Sequence, residues 1–242
     1  AQAGAVSFDS ESSGPTRRYT HITYGLGYIV TREEQEDNLY EIVSKRRIKA
    51  LAFSVRQTEE IVAANILNRA FNSSYTGGDG VQMIASSHPT VSGTQSNVLA
   101  TAADFSEASL EDLIIQMMQA QNSRGLKIAV MPKKLVVPPQ VIFDAERVLK
   151  SALQSGTANN DVNAVKNMGL LPGGVEVNHY LTDADAWFLT TNVPNGLMRF
   201  NRRATEFKQD NDFDTENAKA KATLRFAVGW TDWRGIYGTP GA

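Results

Sequence analysis

Residues 31–71 read TREEQEDNLYEIVSKRRIKALAFSVRQTEEIVAANILNRAF, a run with neither glycine nor proline. Ile48, Leu51, Ala52, Val55, Val62, Ala63, Ile66, Leu67 and Ala70 recur at intervals of three, four and seven. That spacing lines them along one face of a helix and turns Arg56, Glu60 and Arg69 toward water. At about 1.5 Å per residue the helix reaches up to ~60 Å. Glu33, Glu34, Glu36 and Asp37 crowd its start, where unpaired amides and the helix dipole favour carboxylates, and Lys45, Arg46, Arg47 and Lys49 follow. This order predicts either a short helix ending near Ser44 and a second running to Phe71, or one bent rod. Asn72-Ser73-Ser74 and Gly77-Gly78-Asp79-Gly80 then stop it.

Upstream, residues 5–30 are rich in Tyr, Thr, Val and Ile and bend at Ser13-Gly14-Pro15. They read as a long hairpin with Val6 and Phe8 on one arm, and with Tyr19, His21 and Thr23 alternating with Thr20, Ile22 and Tyr24 on the other. A hairpin feeding straight into so long a helix cannot be buried within 242 residues. A neighbouring copy is the expected source of cover, and a functional monomer is not expected.

Downstream, residues 81–85 are a strand candidate and residues 86–97 a polar loop. Ser109 and Asp112 form a near capping box for a helix whose face is Leu110, Leu113, Ile114, Met117 and Gln121 and which ends before Gly125. Residues 126–137 read as a strand broken or edged at Pro132, which has no amide for a ladder. Pro138-Pro139 opens a helix that buries Ile142, Ala145, Val148, Leu149 and Ala152. Residues 156–163 form a loop, and a β-rich region over 175–200 centres on Trp187-Phe188-Leu189. Strands at 197–207 and 218–230, joined by the acidic segment 208–216, close the chain.

With 42% hydrophobic and 21% charged residues the composition is that of an ordinary globular protein. No apolar run approaches the ~20 residues of a membrane helix, no signal segment opens the chain, and no membrane partner is expected. The absence of cysteine excludes disulfides, thiolate nucleophiles and Cys-based zinc sites, and agrees with a reducing compartment. A net charge of −2 argues against a dedicated nucleic-acid binder.

No catalytic constellation emerges. Ser87, His88 and Asp104 have the letters of a hydrolytic triad, but no Gly-x-Ser-x-Gly elbow presents a nucleophile, so Ser87 and His88 are assigned to a turn. Asp210, Asp212 and Asp214 alternate like a calcium loop, yet Thr215 stands where glycine is needed and Lys221 where the bidentate acid belongs; a solvated hairpin tip is the reading. His21, His88 and His179 lie apart, and Gly77, Gly78 and Gly80 lack the Lys-Ser/Thr of a phosphate loop. No enzyme activity, metal or cofactor is expected.

Four segments in order, TEEIVAANILNRAF (58–71), SSHPTVSGTQSN (86–97), SEASLEDLIIQMMQAQNSRGLKIAVMPKKLVVPPQVIFDAERVLKS (106–151) and RFAVGWTDWRGIYG (225–238), give a resemblance over nearly the whole chain. The chain resembles the major capsid proteins of tailed bacteriophages, nearest to the Mu-like major head subunit group, with the α+β Hong Kong 97-like capsid fold. The resemblance implies an N-terminal remnant and extended loop over 1–30 that reaches across a neighbour. It implies a peripheral domain over 31–99 and 199–242 with the long helix as spine, and an axial domain over 100–198. Members usually carry an N-terminal arm ahead of that loop.

It further implies self-assembly into pentamers and hexamers of an icosahedral shell that encloses the genome, formed in the host bacterial cytoplasm and carried in the virion. Portal, scaffolding and decoration proteins are implied partners, and contact with packaged double-stranded DNA is expected to be weak and non-specific. Arg17, Arg18, Tyr19 and Tyr24 are the expected intersubunit contacts, the two arginines facing acids of an adjacent subunit. An encapsulin-type nanocompartment shell, and a hydrolase built on Ser87, His88 and Asp104, are the alternatives.

Overall fold

The computed structural model describes residues 14–37, 40–154 and 161–242, with side chains in the second stretch from residue 45 onward. In chain order it forms β1 (Ile22–Val30), α1 (Arg32–Glu36), α2 (Tyr40–Asn68), β2 (His88–Thr90), β3 (Gly93–Gln95), α3 (Glu107–Met118) and β4 (Pro132–Val137). A 3₁₀ turn (Pro139–Val141) enters α4 (Ile142–Lys150), followed by α5 (Ala164–Met168), β5 (Val175–Val177), β6 (Trp187–Thr191), β7 (Leu197–Asn211) and β8 (Ala218–Trp230). A second 3₁₀ turn (Trp233–Gly235) leads into β9 (Ile236–Thr239).

The rod breaks earlier than the charge order suggests. Thr31 caps α1 by accepting the Glu34 amide at 3.3 Å, and α1 ends at Glu36 rather than near Ser44. Arg47 of α2 reaches back to both carboxylate oxygens of Glu34 at 3.0 and 2.8 Å, a bidentate pair that ties the short helix to the long one. The 29 residues of α2 make a rod of about 43 Å. Its stripe is covered from Leu51 onward: Leu51, Val55 and Leu67 are buried, Val62, Ala63 and Ile66 are half-buried, and Ala64, outside the expected stripe, is buried too, whereas Ile48 stays 37% exposed.

What covers the middle of α2 is a three-stranded antiparallel sheet in the order β1-β8-β7. Ala222, Leu224 and Phe226 of β8 alternate toward Leu51 and Val55, with Tyr24, Tyr28 and Val62 closing the cluster. The second arm of the expected hairpin is an edge strand of this subunit's own sheet: β1 pairs with β8 from Ile22↔Phe226 to Val30↔Ala218. The first arm of the expected hairpin lies outside the described residues. Tyr19 seals the junction by packing on Phe200, the rings tilted at 50° with centres 4.8 Å apart, and it approaches so closely that a Cβ on Gly229 would lie 2.5 Å from its ring.

The second sheet runs β5-β4-β6-β9, with β4 and β5 parallel and the other pairs antiparallel. Parallel pairing needs a crossover, supplied here by α4 and α5. Trp187, Phe188 and Leu189 of β6 are all buried, so both faces of this strand are covered. Phe105 meets Trp187 edge-on at 5.3 Å, and Phe71 stacks on Phe188 at 5.8 Å. Leu110, Leu113, Ile114 and Met117 of α3 join the same core as expected, but the cap is Ser106, one turn earlier, with Ser109 as its reciprocal partner.

Three further local expectations change. Residues 81–85 form no strand, although Met83, Ile84 and Ala85 are buried, and 86–97 contain the small hairpin β2–β3. The strand expected over 126–137 begins only at Pro132, whose missing amide coincides with a register shift. The sequence span 199–242 runs through both sheets, because β9 returns to β6 rather than to β8.

Candidate assembly surfaces

The four expected contact residues all lie on or just before β1. Arg17 donates to the Thr76 carbonyl and places its guanidinium 5.6 Å from the Trp230 ring centre. Tyr19 shares a hydrogen bond with Thr231, and Tyr24 packs on Phe226 at 5.3 Å. Arg18 is exposed. Arg17, Tyr19 and Tyr24 therefore hold residues 17–24 onto their own subunit.

The apolar surface left open lies around them. Ile22, Leu26 and Ile29 of β1 are each 54% exposed and Phe53 of α2 is 66% exposed. Ile22 and Leu26 share the α2-facing side of β1 with Tyr24 and Tyr28, at the uncovered border of the sheet, whereas Ile29 points to the opposite face. The face of the three-stranded sheet turned away from α2 is polar and carries cross-strand pairs of like charge, Arg203↔Arg225 and Lys208↔Lys221.

Where β7 turns into β8, the acidic segment is a hairpin tip, as expected. Lys219 pairs with Asp212 and, with the Asp214 amide, holds that carboxyl below the usual carboxylate range. Glu216 sits at φ 52°, a left-handed backbone that a branched or bulky residue resists, and its carboxylate pairs with Arg32. Among the described residues no group of three His, Cys, Asp or Glu side chains could hold a metal ion, and no helix is long and apolar enough to cross a membrane.

The residues of the hypothetical triad are not brought together. Ser87 is exposed, and Asp104 accepts the Ala242 amide at 2.9 Å. His88, expected in a turn, is fully buried and stacks on Trp233 at 4.4 Å between ring centres. Its partners are Asp79 at 2.7 Å and Asn97 at 3.1 Å. Asn97 Oδ1 already accepts the Ala85 amide at 2.8 Å, so Nε2 of His88 is the donor to it. Asn97 Nδ2 faces the carbonyls of Met83, Trp233 and Ile236 at 2.9, 3.2 and 3.0 Å. Burial pushes the Asp79 carboxyl up, but the hydrogen bonds from His88 and Val81 and the charge of His88 outweigh it and leave it below the usual range. The node pins an irregular loop to the C-terminal segment. No spacing rule marks Asp79, His88 and Asn97 as partners, because an irregular loop separates the first two and the β2–β3 hairpin the last two.

The fold and these surfaces can be set against known proteins. A structure of Mycobacterium phage Patience superposes with a TM-score of 0.55 at 11% identity, over 97% of this chain and 77% of that one. The capsid of an empty GTA particle gives 0.54 at 12% identity, over 100% and 80%. A virus-like particle from Pyrococcus furiosus gives 0.50 at 12% identity, over 90% and 76%. At such identities the likeness shows a shared fold, the Hong Kong 97-like capsid fold. No curated protein sequence matches significantly. The family described as phage capsid protein matches residues 14–239. Spanning nearly all of the sequence, that match means that the chain belongs to the phage capsid protein family.

Proposed function

We propose that this chain, the major capsid protein of a tailed bacteriophage, assembles as pentamers and hexamers into an icosahedral shell that encloses double-stranded DNA. The observation that carries this reading is the exposed apolar surface on β1 and α2, Ile22, Leu26, Ile29 and Phe53, which a second copy would cover. A contact of that kind is heterologous and closes into rings when repeated by rotation.

In this reading α2 with the β1-β8-β7 sheet is the peripheral unit, and the β5-β4-β6-β9 sheet with α3 to α5 is the axial unit around capsomer centres. The segment over residues 1–30 contributes to neighbours through Arg18 and the outer edge of β1, while Arg17, Tyr19 and Tyr24 fix its base. The chain acts structurally rather than catalytically; the separation of Ser87, His88 and Asp104 supports this. The basic pairs on the far sheet face suit weak, salt-sensitive contact with packaged DNA. The shell forms in the host cytoplasm, with portal, scaffolding and decoration proteins as further partners, and the chain falls in the Mu-like head subunit group in this reading.

Light scattering after size exclusion tests it: capsomers or shells are expected, and a stable monodisperse monomer across the micromolar range counts against it. Electron microscopy separates a virion head, with portal and tail, from an encapsulin-type shell with enzyme cargo.

A further inference from the structure

A cavity of about 390 Å³ opens where β1 and β8 meet the second half of α2. Tyr24, Tyr75, Phe226 and Trp230 form aromatic walls, and the charged side chains among the lining residues are two guanidiniums, Arg17 and Arg69, with no carboxylate beside them. Arg69 lies over the Tyr75 ring at 4.4 Å. Arg17 uses Nη1 on the Thr76 carbonyl, yet its Nε is buried with no hydrogen-bond partner. An orphaned buried donor costs stability until an acceptor arrives. The cavity is therefore shaped for an aromatic ring accompanied by a carboxylate.

One described segment offers that combination. At the β7–β8 tip the sequence is Asp212-Phe213-Asp214, with Phe213 96% exposed. Asp212 is held by Lys219, while among the described residues no cation pairs with Asp214. The tip cannot enter its own subunit's cavity. From Phe226 in the cavity wall to Ala218, eight residues of β8 at about 3.3 Å each span roughly 26 Å, and Phe213 lies beyond that.

We infer that the Asp212-Phe213-Asp214 tip of one copy docks in the Arg17–Arg69 cavity of a second copy, Phe213 entering between the aromatic walls and Asp214 meeting the guanidiniums. The inference rests on the self-assembly reading above. A buried aromatic anchor beside a desolvated, charge-assisted contact is the usual composition of an interface hot spot. The chain's own Phe8-Asp9 pair is the rival occupant.

The chain has no cysteine, so one pair of introduced thiols reports on this contact alone. Full-length chain carrying Ser74→Cys, at the cavity rim but outside its lining, and Thr215→Cys, both exposed positions, is assembled and treated with a short bismaleimide. A covalent ladder of multimers on a denaturing gel, absent from either single variant, is expected. Shells that form but give no ladder overturn the docking while leaving the capsid reading intact; unmodified chain that never assembles overturns that reading itself. In a second arm, Asp214→Arg and Arg69→Glu should each lower the assembled fraction at least about tenfold, and the double swap should restore it, with helix content unchanged by circular dichroism. Loss without rescue, or a loss produced by Phe8→Ala with Asp9→Asn while the tip variants assemble normally, overturns the assignment of the tip.

Discussion

The two sheets of this molecule solve the burial problem differently. Around β4, β6 and β9, helix α3 and the loops at 70–99 and 230–237 close both faces, and Trp187, Phe188, Leu189, Ile236 and Tyr237 are almost wholly removed from water. Burial holds the Tyr237 hydroxyl far above its ordinary pKa. Around β8, a single helix covers a single face, and the buried set is Leu51, Val55, Ala222, Leu224 and Phe226. The first region has a core of its own. The second is two layers thick over much of its length and leaves Ile22, Leu26, Ile29 and Phe53 uncovered. A thin, long, half-covered element is a poor monomer and a good contact arm, and that difference is what makes a shell subunit of a small chain.

The sharpest way to break this contrast is at the polar node of the thick region. Asn97→Ala strands the Ala85 amide, His88 Nε2 and three carbonyls in a fully buried site. A loss of about 3–5 kcal/mol in urea unfolding is expected, because buried groups without partners carry their desolvation cost. A loss under about 1 kcal/mol would mean that water replaces the side chain and that the node is not closed.

Paired cavity mutants sharpen it next. Leu135 and Leu224 are 0% and 3% exposed, one in each region. Leu135→Ala should cost about 4 kcal/mol and Leu224→Ala about 2–3, since the thin arm can settle around the gap. Equal costs would show that the arm is packed as tightly as the body.

Acid acts on the node as well. The Asp79 carboxyl is held below its usual range in the folded state, so its contribution is fully present above the unfolded value near ~4 and is lost as pH falls through the lower folded value. Asp79→Asn should therefore cost about 1–2 kcal/mol at neutral pH, the gap to the unmodified chain closing below pH ~4. A gap that persists at low pH would point to lost shape rather than lost charge.

The smallest effect on folding belongs to the arm's outer face. Phe53→Ser should change subunit stability by no more than about 0.5 kcal/mol, as an exposed position does, yet reduce shell formation measured by light scattering. Unaltered assembly would remove Phe53 from the contact surface.

Sequence periodicity by itself determined the long helix, the stripe from Leu51 to Ala70, the face of α3, the centre of β6 and the two closing strands. Each is a local pattern at period 3.6 or 2, and the covering layer only has to accept it. The missing Gly-x-Ser-x-Gly elbow around Ser87 was likewise legible, since strained nucleophile turns carry local signatures. What only the tertiary structure decided depends on pairings between distant segments. The β1 strand has the same alternation whether its partner is β8 or a neighbour, so its place at an intrachain edge could not be read from residues 22–30. The burial of His88 follows from Asp79, Asn97 and Trp233 converging on it, three positions whose spacing obeys no helical or strand period. The cavity of Arg17 and Arg69 joins residues 52 positions apart, and the gap between them is closed by sheet registry and helix packing, which no local pattern records.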